Sequence, residues 1–337
     1  MLRKRTLAAV TAAVALASTL VGPAHAVTPQ PTGVAYDVGD NGVVVGYVDT
    51  GAGQRRAVRW NPDGSVTPLR ERPGATTARA YGINRRGVIV GESQGVPVQW
   101  NPDGGLVELG RAGSAAYDPF RGNDHGTVAG WSGGLSTPRP VKWRPGGKVA
   151  ELPLLRGGRN GQAWGINASG VVVGDSEILQ NGAYEWHAVR WNPDGSVTDL
   201  APPGAVGSTA YDVNDHGVVV GPSWKADNSW RALRWNPDGS VTDLPPLPGG
   251  ASPYPISINA GGVVAGYSQD AAGTWRAVRW SPGGAITALP GLPDSAEDYV
   301  WSINRSGVIV GYSVSASGES RPVKWNPDGS ITRLPGL

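Results

Sequence analysis

The sequence predicts an all-β fold, a seven-bladed β-propeller with four antiparallel strands per blade, and three observations carry that prediction. A tryptophan recurs at Trp60, Trp100, Trp143, Trp191, Trp235, Trp280 and Trp325, with gaps of 40, 43, 48, 44, 45 and 45 residues. Each tryptophan is followed by an N-P-D-G segment or a near variant and preceded by an N-x-x-G segment, in which Gly39 replaces the asparagine in the first repeat. Between these segments run short β-branched stretches without a helical apolar period. A period in the forties with turns at fixed offsets is the signature of propeller blades.

One repeat shows the four strands in order. In the last, Trp301-Ser302-Ile303-Asn304 is strand A, Val308-Ile309-Val310-Gly311-Tyr312 is B, Arg321-Pro322-Val323-Lys324-Trp325 is C, and Ser330-Ile331-Thr332-Arg333-Leu334 is D. The A–B turn ends in Gly42, Gly87, Gly126, Gly170, Gly217, Gly262 or Gly307, positions suited to positive φ. The C–D turn pairs a φ-fixing proline (Pro62 in the first repeat) with a glycine two residues on (Gly64). Strand B is a continuous apolar run, as in Val171-Val172-Val173, which means burial on both faces. It ends in glycine (Gly46, Gly174, Gly311), where a neighbouring backbone or ring can approach closely. Strand C alternates, with Val189 and Trp191 on one side and Ala188 and Arg190 on the other. The expected core includes Val44, Ile89, Val172, Val219, Val264, Ile309 and the seven tryptophans. The repeats are expected over 34–78, 79–114, 115–161, 162–208, 209–252, 253–297 and 298–337, within one domain of 27–337.

The first 26 residues read as a secretory signal. Arg3, Lys4 and Arg5 precede the apolar stretch Leu7 to Val21, and Ala24-His25-Ala26 fits a cleavage site. Its removal takes away three basic residues and no acidic ones, so the formal charge moves from +2 to −1. No electrostatic footprint for nucleic acid remains, and no later apolar run is long enough for a membrane span. Cysteine is absent, which excludes thiolate catalysis and cysteine-ligated metal.

These phrases resemble the extracellular HAF repeat family. The pattern A-x-x-I-N-x-x-G-x-V-V-G followed by an H-A-F-L-W-like segment is best matched by Ala163-Trp164-Gly165-Ile166-Asn167 through Val173-Gly174, then His187-Ala188-Val189-Arg190-Trp191 and Thr198-Asp199-Leu200. Elsewhere arginine usually replaces the histidine, and Val or Leu the phenylalanine. The rhythm is also similar to kelch repeats, without their double glycine. The resemblance implies a secreted β-propeller and implies no activity.

Little in the chain points to chemistry. His125 and His216 fill one slot of an N-D-H-G turn, and His187 opens a strand C without an evident partner. The turn aspartates occur singly, whereas a calcium loop needs several alternating carboxylates. No catalytic residue, metal site or cofactor is assigned. Asp37, Asp118 and Asp212 read as strand-A acids of repeats 1, 3 and 5, either axial groups or hydrogen-bond partners of neighbouring strands. Tyr36, Tyr81, Tyr117, Trp164, Tyr211 and Trp301 read as one strand-A packing slot. Trp186, Trp230 and Trp275 stand just before strand C in repeats 4 to 6, with Trp224 and Tyr184 in the same loops and Arg231 and Arg276 next in line. Tight A–B and C–D turns must share one face of a meander, so these aromatics belong to the opposite, loop face.

The leading expectation is a secreted, monomeric, non-catalytic propeller that binds a carbohydrate or extracellular protein through Trp186, Trp224, Trp230, Trp275, Arg231 and Arg276. The first alternative is a propeller lyase or glycoside hydrolase with axial carboxylates at Asp37, Asp118 and Asp212. The second is a structural cell-surface protein.

Overall fold

The computed structural model describes residues 32–337 apart from 52, 112–116, 134–136 and 181. The expected leader lies outside the described residues. The chain is an all-β propeller of short antiparallel meanders, strand A innermost. In repeat 1 the strands are Gly33–Val38, Val44–Asp49, Arg55–Trp60 and Val66–Pro68, paired in sequence order.

Five four-stranded sheets of this kind stand alone, and the remaining strands form one sheet of nine. Seven independent blades were expected, so this is a correction. The sheets fuse where strand C of repeat 4 (Ala183–Trp191) meets strand A of repeat 5 in a parallel bridge, Trp186 to Gly207. That strand A is broken into Gly207–Ser208 and Asp212–Val213. The Trp224 indole lies over Gly207, where a Cβ would come within 2.0 Å of it. Only glycine lets the backbone pass beneath that ring and reach strand C of the preceding repeat.

The turns form as their residues require. Gly42 and Gly64 have φ of 81° and 87°. A Cβ on Gly42 would meet the Pro62 ring at 3.5 Å, so the two tight turns lie side by side on one face. At the end of strand B, a Cβ on Gly46 would stand 2.0 Å from the Val34 carbonyl oxygen, which explains a glycine there. Strand A slips register at an equivalent place in six repeats, between Ala35 and Asp37, Ala80 and Gly82, Pro119 and Arg121, Ala163 and Gly165, Pro255 and Ser257, and Val300 and Ser302. Such a bulge re-aims the skipped side chain, here Tyr36, Tyr81, Phe120, Trp164, Ile256 and Trp301.

Two sets of hydrogen bonds join the repeats. The seven repeat tryptophans are buried, and each indole N–H donates to a carbonyl just past strand D of the preceding repeat. The acceptors, from Trp60 onward, belong to Pro335, Arg70, Gly110, Pro153, Leu200, Pro245 and Pro290. The turn asparagines add a ladder around the axis. Asn84, Asn123, Asn167, Asn214 and Asn259 each donate from the side-chain amide to the backbone carbonyl of the next turn asparagine, and Asn304 donates to Gly39. Repeat 1 has glycine at this position and supplies no rung.

The last repeat meets the first without a shared strand. Repeats 1 and 7 each complete their own four-stranded sheet. Their junction is made by the Trp60 and Asn304 bonds and by a cluster in which Val310 and Leu334 pack on Ala35, Val44 and Trp60. Among the described residues, no helix is long and apolar enough to cross a membrane.

Candidate functional site

The axis holds two charged layers. In the inner one, Asp37 and Asp212 project from strand A two residues before the turn position held by Gly39 and Asn214. In repeat 3 that place belongs to Arg121, not to Asp118. The recurring aromatic slot likewise holds Phe120 rather than Tyr117. A shift of three residues in the alignment of repeat 3 separates the expectation from the structure. The side chains of Tyr117 and Asp118 lie outside the described residues.

Arg121 reaches across the axis to Asp37 at 3.0 Å and to the Ser302 hydroxyl at 3.4 Å. Asp37 also accepts the amide N–H of Val38 and of Ile83. Asp212 accepts the amides of Val213 and Ile258 and the Ser257 hydroxyl. Burial opposes the Arg121 charge, but Asp37 and Asp212 prevail and hold its pKa above the usual value. Burial raises the Asp212 pKa, with Arg121 and the hydrogen bonds pulling the other way. Both carboxylates therefore tie one repeat to the backbone of the next, and neither is set up as a free base or nucleophile.

The outer layer lies at the turn face. Arg85 contacts Asp40 at 3.1 Å, Asp124 at 3.6 Å and Asp215 at 2.8 Å, and so spans the opening. A cavity of about 160 Å³ lies within these axial turns. Asp40, Asp124 and Asp215 also accept the turn amides of Arg305, Arg85 and Ala168.

The loop face is uneven. Rings run in contact from Trp224 to Trp230 (5.0 Å), on to Tyr254 (4.9 Å), Tyr267 (5.3 Å) and Tyr299 (5.2 Å), with Trp275 against Tyr254 (5.8 Å) and Tyr267 (5.4 Å). Tyr254 and Tyr267 are buried, while Trp224, Trp230 and Trp275 are half-buried above them. Trp186 is half-buried too, but it faces Glu177 across the hairpin and stands apart from these rings. The structure thus brings together three of the four expected tryptophans and adds three tyrosines.

The arginines are already occupied. Arg231 makes two 2.7 Å hydrogen bonds to Asp243, and Arg276 pairs with Asp270 at 3.0 Å. His187 belongs to the same row, with Nδ1 2.8 Å from Asp199; burial disfavours its charge, yet Asp199 raises its pKa. Arg139–Glu151, His187–Asp199 and Arg231–Asp243 share a spacing of 12 residues. These are strand C to strand D pairs of the outer wall, whereas Arg276 pairs with Asp270 of its own B–C loop.

Across the ring the residue after the strand-B glycine changes character. It is Tyr47, Tyr267 or Tyr312 in repeats 1, 6 and 7, but Glu92 in repeat 2 and Asp175 in repeat 4. Glu92 is buried beside Arg79 at 2.9 Å, and burial raises its pKa against the pull of the Gly95 amide and Arg79. Asp175 accepts the Trp164 indole N–H at 3.0 Å. Burial pushes its pKa up to about 7 against the pull of hydrogen bonds from Trp164, the Thr209 hydroxyl and the Gln162 amide. Sequence reasoning missed this residue, although a carboxylate in a slot that is aromatic in four of the seven repeats was a readable signal.

No protein-family profile matches the sequence, and no curated protein matches it. Solved structures share the fold. Virginiamycin B lyase from Staphylococcus aureus aligns at 17% identity and TM-score 0.54 over 92% of this chain and 97% of its own. The propeller domain of the Trilobed protease from Pyrococcus furiosus, described as having an open velcro topology, aligns at 13% and 0.58 over 91% and 98%. A puromycin-hydrolyzing peptidase from Mycobacterium tuberculosis aligns at 13% and 0.65 over 90% of this chain, which spans about half of it, 52%. At such identities the likeness establishes the β-propeller fold alone.

Proposed function

We propose that this chain is an exported, monomeric binding propeller of the HAF-repeat kind, whose ligand stacks on the loop-face rings of repeats 5 and 6. The observation that carries this reading is the half-buried trio Trp224, Trp230 and Trp275 seated on buried Tyr254 and Tyr267. Buried tyrosines hold the indoles at fixed tilt, so little side-chain freedom is lost on binding. Their flat faces suit a sugar ring. The expected test result is saturable quenching of tryptophan fluorescence by a glycan found on an array, abolished in Trp230→Ala/Trp275→Ala with the fold retained by circular dichroism. Normal binding by that variant would refute the site.

A second reading is an enzyme. The similar solved structures include a lyase and peptidases, and Asp175 is a buried carboxyl with a pKa near neutrality, the property of a general acid or base. A lyase and hydrolase substrate screen that finds activity lost in Asp175→Asn would replace the binding reading. We also infer that the nine-stranded sheet serves as two blades of a seven-wedge ring, supported by the seven indole–carbonyl bonds. An electron-density map with five wedges would overturn it.

A further inference from the structure

The slot before each repeat tryptophan is basic in six of seven repeats: Arg59, Lys142, Arg190, Arg234, Arg279 and Lys324, with Gln99 the exception. In repeat 5 the side chain has a definite task. Arg234 crosses the groove to repeat 6 and donates to the carbonyls of Pro282 (2.6 Å), Gly262 (3.1 Å) and Ser281 (3.4 Å). Its guanidinium closes that groove from within.

Repeat 1 presents the same slot to the same backbone. Pro102, Gly87 and Asn101 are the repeat 2 counterparts of those three acceptors. Arg59 makes no hydrogen bond to them; its Nε is buried without a partner, as is that of Arg234, so the difference lies in the outer nitrogens that Arg234 places on carbonyls. The groove stays open as a cavity of about 370 Å³, in the range of small-molecule pockets (~300–1,000 Å³). Arg59 and Arg70 line it, with Leu69, Ile89 and Trp100 behind them. The only acid in the lining, Glu71, is taken by Arg56. The same junction lacks its asparagine rung, because Gly39 stands where the ladder needs a donor. The missing rung leaves this junction without a bond that the other six make.

A buried guanidinium edge without an acceptor is costly. An anion would supply the acceptor that Arg59 lacks, and the cavity is larger than a bare anion needs. We propose that the groove between repeats 1 and 2 binds a small amphipathic carboxylate, with the carboxylate on Arg59 and Arg70 and the apolar body along Leu69 and Ile89. The site faces the turn side of the outer wall, away from the loop-face rings, so its fate is independent of theirs.

Octanoate is the probe, read by isothermal titration on the mature protein, with octanol and inorganic phosphate as comparisons. Saturable octanoate binding that falls at least tenfold in Arg59→Gln, and is unchanged in Arg234→Gln, is the expected result. Arg59→Gln should keep the wild-type thermal transition, whereas Arg234→Gln should stay folded but melt lower, through the loss of its three carbonyl bonds to repeat 6. A crystal soaked with octanoate should show density between Arg59 and Leu69. The proposal is overturned if octanoate does not saturate, if Arg59→Gln binds it as well as wild type, or if octanol or phosphate binds as tightly.

Discussion

The turn end and the loop end of the ring are built from the same repeats and behave differently. At the turn end one device recurs: an asparagine amide finds the next repeat's carbonyl, six times in succession. At the loop end the residue after the strand-B glycine is tyrosine in three repeats and a carboxylic acid in two others. A contact that closes a ring has to be made at every junction, so its residues repeat. A contact that meets something outside the ring has no such constraint. Departures from the repeat are therefore where function should be sought, provided they are not explained by a partner within the wall. Arg231 fails that proviso because Asp243 takes it; Trp230 and Trp275 pack one side on Tyr254 and Tyr267 and keep the other partly open.

The comparison is tested most severely at the repeated positions. Trp191→Ala should cost about 3–5 kcal/mol in urea unfolding, from lost burial and the orphaned Pro153 carbonyl. Asp37→Ala should cost on the order of 3 kcal/mol, because it strands the Arg121 charge inside the axis. Adding Arg121→Ala should recover part of that loss; a strictly additive double variant would mean the pair is not coupled.

Asp175 gives a pH signature that the repeated positions cannot. Its folded pKa of about 7 lies above the ordinary value of 3.8, so its contribution is fully present in acid and is lost as pH rises toward 7. Unfolding free energy of the wild type should decline over that window by about 2–4 kcal/mol from this group. Asp175→Asn, which keeps an acceptor for Trp164, should flatten the decline and be the more stable protein at pH 8. An unchanged slope would show that the carboxyl is solvated.

The smallest effect concerns the missing rung. Asn167→Ala should cost about 1 kcal/mol. Gly39→Asn should add a few tenths to about 1 kcal/mol, measured by thermal melting. A Cβ there meets chiefly the Asn41 side-chain oxygen at 2.7 Å, which can move aside. A loss of stability would mean that repeat 1 is bare for a steric reason.

Much of the fold was legible because it is local. The period, both turns, the strand-B glycines and the buried tryptophans each rest on a few adjacent residues. The alternate reading of repeat 3 failed because Asp118 was aligned by residue type; alignment on Asn123 puts Arg121 opposite Asp37. That pairing joins residues 84 apart and is invisible until the ring brings them together. The ion pair that occupies Arg231 was within reach, since its 12-residue offset recurs in three repeats. The fused sheet was not, because one parallel bridge at Trp186 depends on the path taken by the backbone around Gly207.

The junction between the last repeat and the first has a consequence for how the chain could be cut. Trp60 to Pro335 is the bond that joins every other pair of neighbours, Asn304 to Gly39 is the rung that joins all but repeats 1 and 2, and no strand is borrowed across them. The ring thus has no privileged starting point. Linking residue 337 to residue 32 through a short Gly/Ser bridge and opening the chain in the D-to-A loop near Pro293 should yield a circular permutant that folds to the same wall. Such a permutant would place new ends on the loop face beside Arg321 and Asp294, where fused cargo would sit next to the aromatic sector.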